Sequence, residues 1–131
     1  MFVDTGAWYA LIDRKDPDHK AAVDFLSGNK VPLVTSNFVF DETVTLLNSR
    51  LGWSIASAFG KKLKDSGFVS LAAIKDADEE KAWEIFLKFK DNDFSYTDCT
   101  SFSLMQRLGI AEAFSFDGHF KAMKFQVFPA V

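Results

Sequence analysis

Met1-Phe2-Val3-Asp4-Thr5-Gly6-Ala7-Trp8-Tyr9-Ala10 decides how the fold is read, because a short apolar run passes through three polar residues into an apolar helical start. Met1-Phe2-Val3 is predicted as a very short buried strand and Asp4-Thr5-Gly6 as the turn that follows it, which sets Asp4 at a strand's carboxyl end. The same alternation recurs along the chain. Asp16-Pro17 supplies an N-cap and a first-turn proline, and Gly28-Asn29 stops a helix expected to bury Ala21, Ala22, Phe25 and Leu26. Val31 to Thr35 reads as the second strand. Ser36 then caps a helix to about Leu51, and Gly52 separates it from another running from Trp53 to about Lys64.

Further on, Phe68 to Leu71 reads as a third strand. The acidic start Asp76-Ala77-Asp78-Glu79-Glu80 opens a helix expected to carry Trp83, Phe86 and Leu87 inward. Ser95 or Thr97 can cap a helix from Asp98 to Leu108, ended by Gly109. Ala113 to Phe116 is a fourth strand, Asp117-Gly118 a turn, and Phe125 to Phe128 a last strand. Strands separated by helices imply an α/β fold with a mostly parallel central sheet covered on both faces.

A chain of 131 residues is the size of one domain, so residues 1–131 are read as a single unit. With 15 Lys plus Arg against 18 Asp plus Glu, the net charge of −3 excludes a polybasic nucleic-acid or membrane binder. At 48% hydrophobic and 25% charged residues, disorder does not fit. The lone Cys99 forbids an intramolecular disulfide and leaves too few thiols for structural zinc, so a reducing, cytoplasmic location is expected. No apolar stretch reaches the length of a membrane span.

In an open parallel sheet the site lies beyond the carboxyl ends of the strands. Asp4 and Asp117 both follow strands directly, Asp98 stands in the first turn of its helix, and Glu42 lies where a longer side chain can reach back over the same edge. Two carboxylates about 5 Å apart repel by roughly 3 kcal/mol at an effective dielectric of 20. A divalent cation is the simplest relief, and oxygen ligands without His or Cys select Mg²⁺ or Mn²⁺ over Zn²⁺. Such ions lower the pKa of a bound water and brace a phosphodiester displacement, which is nuclease chemistry.

These residues resemble the PIN-domain ribonucleases, and most closely the VapC-type toxins of toxin-antitoxin pairs. The resemblance runs through Val3-Asp4-Thr5, Phe40-Asp41-Glu42-Thr43, Phe94-Ser95-Tyr96-Thr97-Asp98-Cys99 with Ser101-Phe102 and Met105, and Phe116-Asp117-Gly118-His119-Phe120. It implies a three-layer α/β/α PIN-like domain and endonucleolytic cleavage of RNA dependent on Mg²⁺ or Mn²⁺. It also implies a homodimer and inhibition by a cognate antitoxin. Carried over by motif, Asp4 and Asp98 would be the principal metal ligands, with Glu42 and Asp117 completing the catalytic acidic pocket. Thr5 and Thr97 would orient carboxylates or water, and Asp93 is a second-tier candidate that a turn explains equally well.

Other chemistry-bearing residues have plainer readings. Cys99 reads as a buried inert thiol, His19 as a solvated helix residue, and Lys61, Lys62 and Lys64 as a solvated helix face. His119 stands two positions after Asp117, where contact with an RNA phosphate is the minority reading. Trp53 and Trp83 read as core or dimer contacts rather than base-stacking platforms. Rival functions are a catalytically silent PIN-fold binding module, a phosphatase and a phospho-receiver domain. The phosphatase wants a second Asp two residues after its nucleophile, where Gly6 stands, and the receiver wants an Asp after the third strand, where Leu71-Ala72-Ala73 offers none.

Overall fold

The computed structural model describes residues 1–130. Its elements run β1 (Phe2–Val3), α1 (Thr5–Ile12), α2 (His19–Gly28), β2 (Leu33–Ser36), α3 (Asn37–Leu51) and α4 (Trp53–Asp65). They continue as β3 (Val69–Ala72), α5 (Asp76–Lys88), α6 (Tyr96–Leu108), β4 (Glu112–Phe114), α7 (His119–Ala122) and β5 (Gln126–Phe128).

The five strands form one sheet in the order β3-β2-β1-β4-β5, with all four pairings parallel. Phe2 pairs with Val34 on one side and Ala113 on the other, and Val3 pairs with Phe114. Neighbouring residues on a strand point to opposite faces. Because Phe2, Val3, Ala113 and Phe114 are all fully buried, both faces of the central strands are covered, which gives the three layers α/β/α. The chain builds outward from β1 to β3 on one side and then adds β4 and β5 on the other. The crevice between the carboxyl ends of β1 and β4 is therefore the topological switch point where such sheets place their sites.

Local chemistry shifts several boundaries from the sequence expectation. β2 begins at Leu33 rather than Val31 because Pro32 has no N–H for the ladder; its carbonyl instead accepts from the terminal amine of Met1 at 3.0 Å. α2 begins at His19 rather than at Asp16-Pro17, since the Asp16 carboxylate accepts from Asp18 N–H at 2.8 Å and holds a turn there. Within α2, Ala22 is buried and Phe25 and Leu26 are half-buried, while Ala21 faces solvent, contrary to expectation. His19 is not simply solvated, because its Nδ1 lies 2.7 Å from the Ala10 carbonyl oxygen. α3 starts as expected, with the Ser36 hydroxyl accepting from Val39 N–H at 3.0 Å. α7 was not anticipated from sequence.

The largest departure is the rotation of α5. Trp83, Phe86 and Leu87, expected inside, are 52%, 38% and 59% exposed, and Asp78, Ala82 and Ile85 line the buried face instead. The cause is an ion pair. Arg107 near the end of α6 donates to Asp78 through Nε at 2.7 Å and Nη2 at 2.9 Å, and Asp78 also accepts from Lys75 N–H at 2.9 Å at the start of α5. Turning Asp78 toward α6 turns the aromatic pair outward, where Trp83 stacks on Phe86 at 5.7 Å.

The Arg107 guanidinium holds the Asp78 carboxyl below the usual carboxylate range. A lowered folded-state pKa means that this stabilisation is fully present above the unfolded value and is lost as pH falls through the folded one. Asp78→Asn is expected to cost about 2 kcal/mol at neutral pH and to remove part of the acid sensitivity, read by urea unfolding of wild type and variant at pH 7 and pH 3.

Candidate metal centre

Three carboxylates from distant parts of the chain meet at the β1–β4 crevice. Asp4 leaves β1, and its backbone N–H donates to Phe114 carbonyl at 3.1 Å, tying the end of one strand to the other. Its side chain is 5% exposed and accepts from the Ser115 hydroxyl at 3.2 Å. Ser115 in turn accepts from Asp117 N–H at 3.3 Å, so one buried hydroxyl spaces the two acids. Asp98 arrives from the first turn of α6, where the Ser95 hydroxyl accepts from Asp98 N–H and Asp98 Oδ2 accepts from Ser95 N–H, both at 3.0 Å. Ser95, rather than Thr97, is thus the cap.

His119 completes the group. Its Nδ1 lies 2.8 Å from Asp98 Oδ2 and 3.9 Å from Asp117 Oδ1, and its backbone N–H donates to Asp117 Oδ1 at 2.9 Å. Donor atoms of Asp98, Asp117 and His119 all lie within 4.8 Å of one another. Burial pushes the Asp4 carboxyl well up, and the charges of Asp117 and Asp98 push it further, against a lowering bond from Thr5 N–H. Asp98 is also raised, by burial first and by Asp117, with Ser95 N–H and His119 opposing.

The donor set fits a hard divalent cation. Asp4 and Asp98 are buried and Asp117 is exposed at the rim; carboxylates that repel one another there gain from positive charge, and oxygen donors dominate the cluster. Beside Asp4, the Thr5 hydroxyl is buried without a hydrogen-bond partner, a polar atom that a bound ion or its water would satisfy.

The other sequence candidates lie on neighbouring elements. Glu42 is half-buried on α3, and Asp93 is exposed in the turn after α5, where its φ is 58°. Thr97 is half-buried beside Asp98, and its carbonyl accepts from the hydroxyls of Thr100 and Ser101. Cys99 is fully buried, and burial with the Asp98 charge pushes its thiol up to about 11, which agrees with an inert role. Sequence reasoning missed Ser115. Its signal was a lone hydroxyl between Phe114 and Phe116 at the end of a buried strand, where a polar side chain needs a partner. Two grooves of about 400 and 550 Å³ beside α1 and α4, which share Ile12, Phe59 and Lys62, include none of the acidic trio.

Acids gathered at the switch point of a parallel sheet place the chain among α/β proteins with an acidic crevice at that edge. The sequence profile of the PIN domain matches residues 1–126, and the chain belongs to the PIN-domain family. Within it the likeness runs to the VapC proteins. The chain is 37% identical over 125 residues to the 23S rRNA-specific endonuclease VapC20 of Mycobacterium tuberculosis, covering 95% of each. It is 29% identical to ribonuclease VapC26 of the same organism, covering 95% of this chain and 92% of that one. The crystal structure of VapC20, described as a sarcin-ricin loop cleaving toxin, superposes with a TM-score of 0.90 at 36% identity, over 95% of both chains. FitAcB from Neisseria gonorrhoeae shares the fold with a TM-score of 0.70 at 13% identity, covering 97% of this chain and 95% of that one.

Proposed function

We propose that this chain is a VapC-type endoribonuclease, acting as one PIN domain over residues 1–131, whose cleavage of RNA requires Mg²⁺ or Mn²⁺. The convergence of Asp4, Asp98 and Asp117 at the β1–β4 crevice carries this reading. Asp4 and Asp98 would be the principal ligands, and Asp117 and Glu42 would complete the pocket directly or through waters. A bound divalent ion supplies a more acidic water for in-line attack and positive charge for the phosphodiester oxygens. The chain's own part is placement. Ser115 fixes Asp4 against Asp117 and the α6 capping box fixes Asp98, while Thr5 and Thr97, next to Asp4 and Asp98 in the chain, would orient a carboxylate or water. Asp93 is kept as a second-tier contributor.

Net charge does not oppose an RNA substrate. Setting aside Asp4, Glu42, Asp98 and Asp117 leaves 15 basic residues against 14 acidic ones, so the excess acidity is concentrated where a cation would neutralise it. We further propose a cognate antitoxin and a second copy of the chain as partners, in the cytoplasm. The VapC likeness supports both partners, and exposed Trp53, Trp83 and Leu87 supply apolar surface of the kind that protein partners cover. Among the described residues no helix is long and apolar enough to cross a membrane.

Purified protein incubated with 23S rRNA and with an unrelated structured RNA is expected to cleave with Mn²⁺ or Mg²⁺ and to stop in EDTA, leaving 5′-phosphate ends. No cleavage under any of these conditions would leave the silent binding module as the better account.

A further inference from the structure

His119 is held more firmly than a surface imidazole needs to be. Phe94, 6% exposed, packs edge-on against its ring at 5.4 Å and 74°. Its backbone is pinned by the bond to Asp117, and its side chain is 33% exposed, so the ring is oriented by protein on one side and open on the other. The nitrogen so fixed stands between carboxylates from two separate elements, the start of α6 and the turn after β4. Ligands of one ion about 2.1–2.2 Å away lie no more than roughly 4.4 Å from each other. The 2.8 Å and 3.9 Å separations from Nδ1 to the two acids fall inside that limit. An imidazole also adds a donor without adding a fourth negative charge to Asp4, Asp98 and Asp117.

Resting on the nuclease reading above, we propose that His119 Nδ1 is a direct ligand of the cation held by Asp98 and Asp117. The centre is therefore a mixed nitrogen and oxygen site that favours transition-metal ions over Mg²⁺. Imidazole suits the first-row transition ions, whose affinities rise from Mn²⁺ to Co²⁺ and beyond, whereas Mg²⁺ keeps oxygen ligands and several waters. The same nitrogen lies within hydrogen-bond distance of Asp98 Oδ2.

The test reads binding rather than turnover. Full-length protein loaded with Mn²⁺ is expected to show ¹⁴N coupling in pulsed electron paramagnetic resonance. That coupling should disappear in His119→Asn and persist in His19→Asn, which alters the only other histidine. In calorimetric titrations, His119→Asn should weaken Mn²⁺ and Co²⁺ about 10-fold or more while Mg²⁺ weakens much less. Mn²⁺ bound without ¹⁴N coupling overturns the proposal, and so does an equal loss of Mn²⁺ and Mg²⁺ affinity, which would make His119 only a hydrogen-bonding partner of Asp98. Failure to bind Mn²⁺ at all also overturns it. Failure of the nuclease reading shows separately, as RNA cleavage indifferent to EDTA or no cleavage at all.

Discussion

Asp4→Asn and Asp98→Asn should each lower RNA cleavage by about 100-fold or more while leaving the protein folded. Each substitution keeps the side chain's shape and one carbonyl oxygen, so the Ser115 bond to Asp4 and the Ser95 bond to Asp98 have a substitute acceptor. What is removed is charge. In wild type without metal, Asp4 is raised by burial and by its acidic neighbours, so its folded pKa lies above the unfolded one. Stability is then greatest below the unfolded value and declines as pH rises through the folded value. Asp4→Asn removes that decline, and the metal-free variant should melt no lower than wild type at neutral pH. It should also lose the rise in melting temperature that Mn²⁺ gives wild type through preferential binding to the folded state. Cleavage assays with thermal melts, with and without Mn²⁺, check both halves. Undiminished, EDTA-insensitive cleavage by either variant would sink the assignment.

The second large effect falls on stability. Phe102→Ala should cost about 3–5 kcal/mol, a large share of the stability of an ordinary domain. Phe102 is fully buried on α6, edge-on to Phe94 and Phe120 at 5.0 Å each and stacked on Phe125 at 5.9 Å. Truncation takes away those contacts and leaves a cavity. Because Phe94 also seats the His119 ring, the loss should reach the site, and Mn²⁺ affinity should fall in Phe102→Ala although no donor atom has changed. Phe102→Leu, which refills most of the volume, should recover much of both. Urea unfolding and Mn²⁺ titration read the two effects independently. A cost below about 1 kcal/mol would show that this cluster does not hold α6 in place.

The legible part of the fold was whatever local chemistry encodes. Ser36 and Ser95 announce helix starts through hydroxyls that accept from backbone three residues on, and Gly52 and Gly109, at φ 98° and 69°, mark where helices end. The parallel sheet followed from strands that alternate with helices. The rotation of α5 did not, because Trp83 and Phe86 are more apolar than Asp78, and only the partner Arg107, 29 residues away, makes burying the acid worthwhile. The site divides in the same way. Asp4, Asp98 and Asp117 were visible as acids at strand and helix ends, and the structure brings them together. Ser115 and the aim of His119 depend on contacts over 111 and 21 positions, which no local pattern records.

That long reach has a kinetic meaning. The Ser115 bond to Asp4 joins the first strand to the fourth, and closing so large a loop comes late because its entropy must be offset by the packing on either side. Until β4 docks beside β1, Asp4 and Asp117 belong to separate pieces of chain and the three carboxylates cannot meet. The acidic crevice thus works as a coincidence detector for folding: its full set of carboxylates is assembled only when segments more than a hundred residues apart have met.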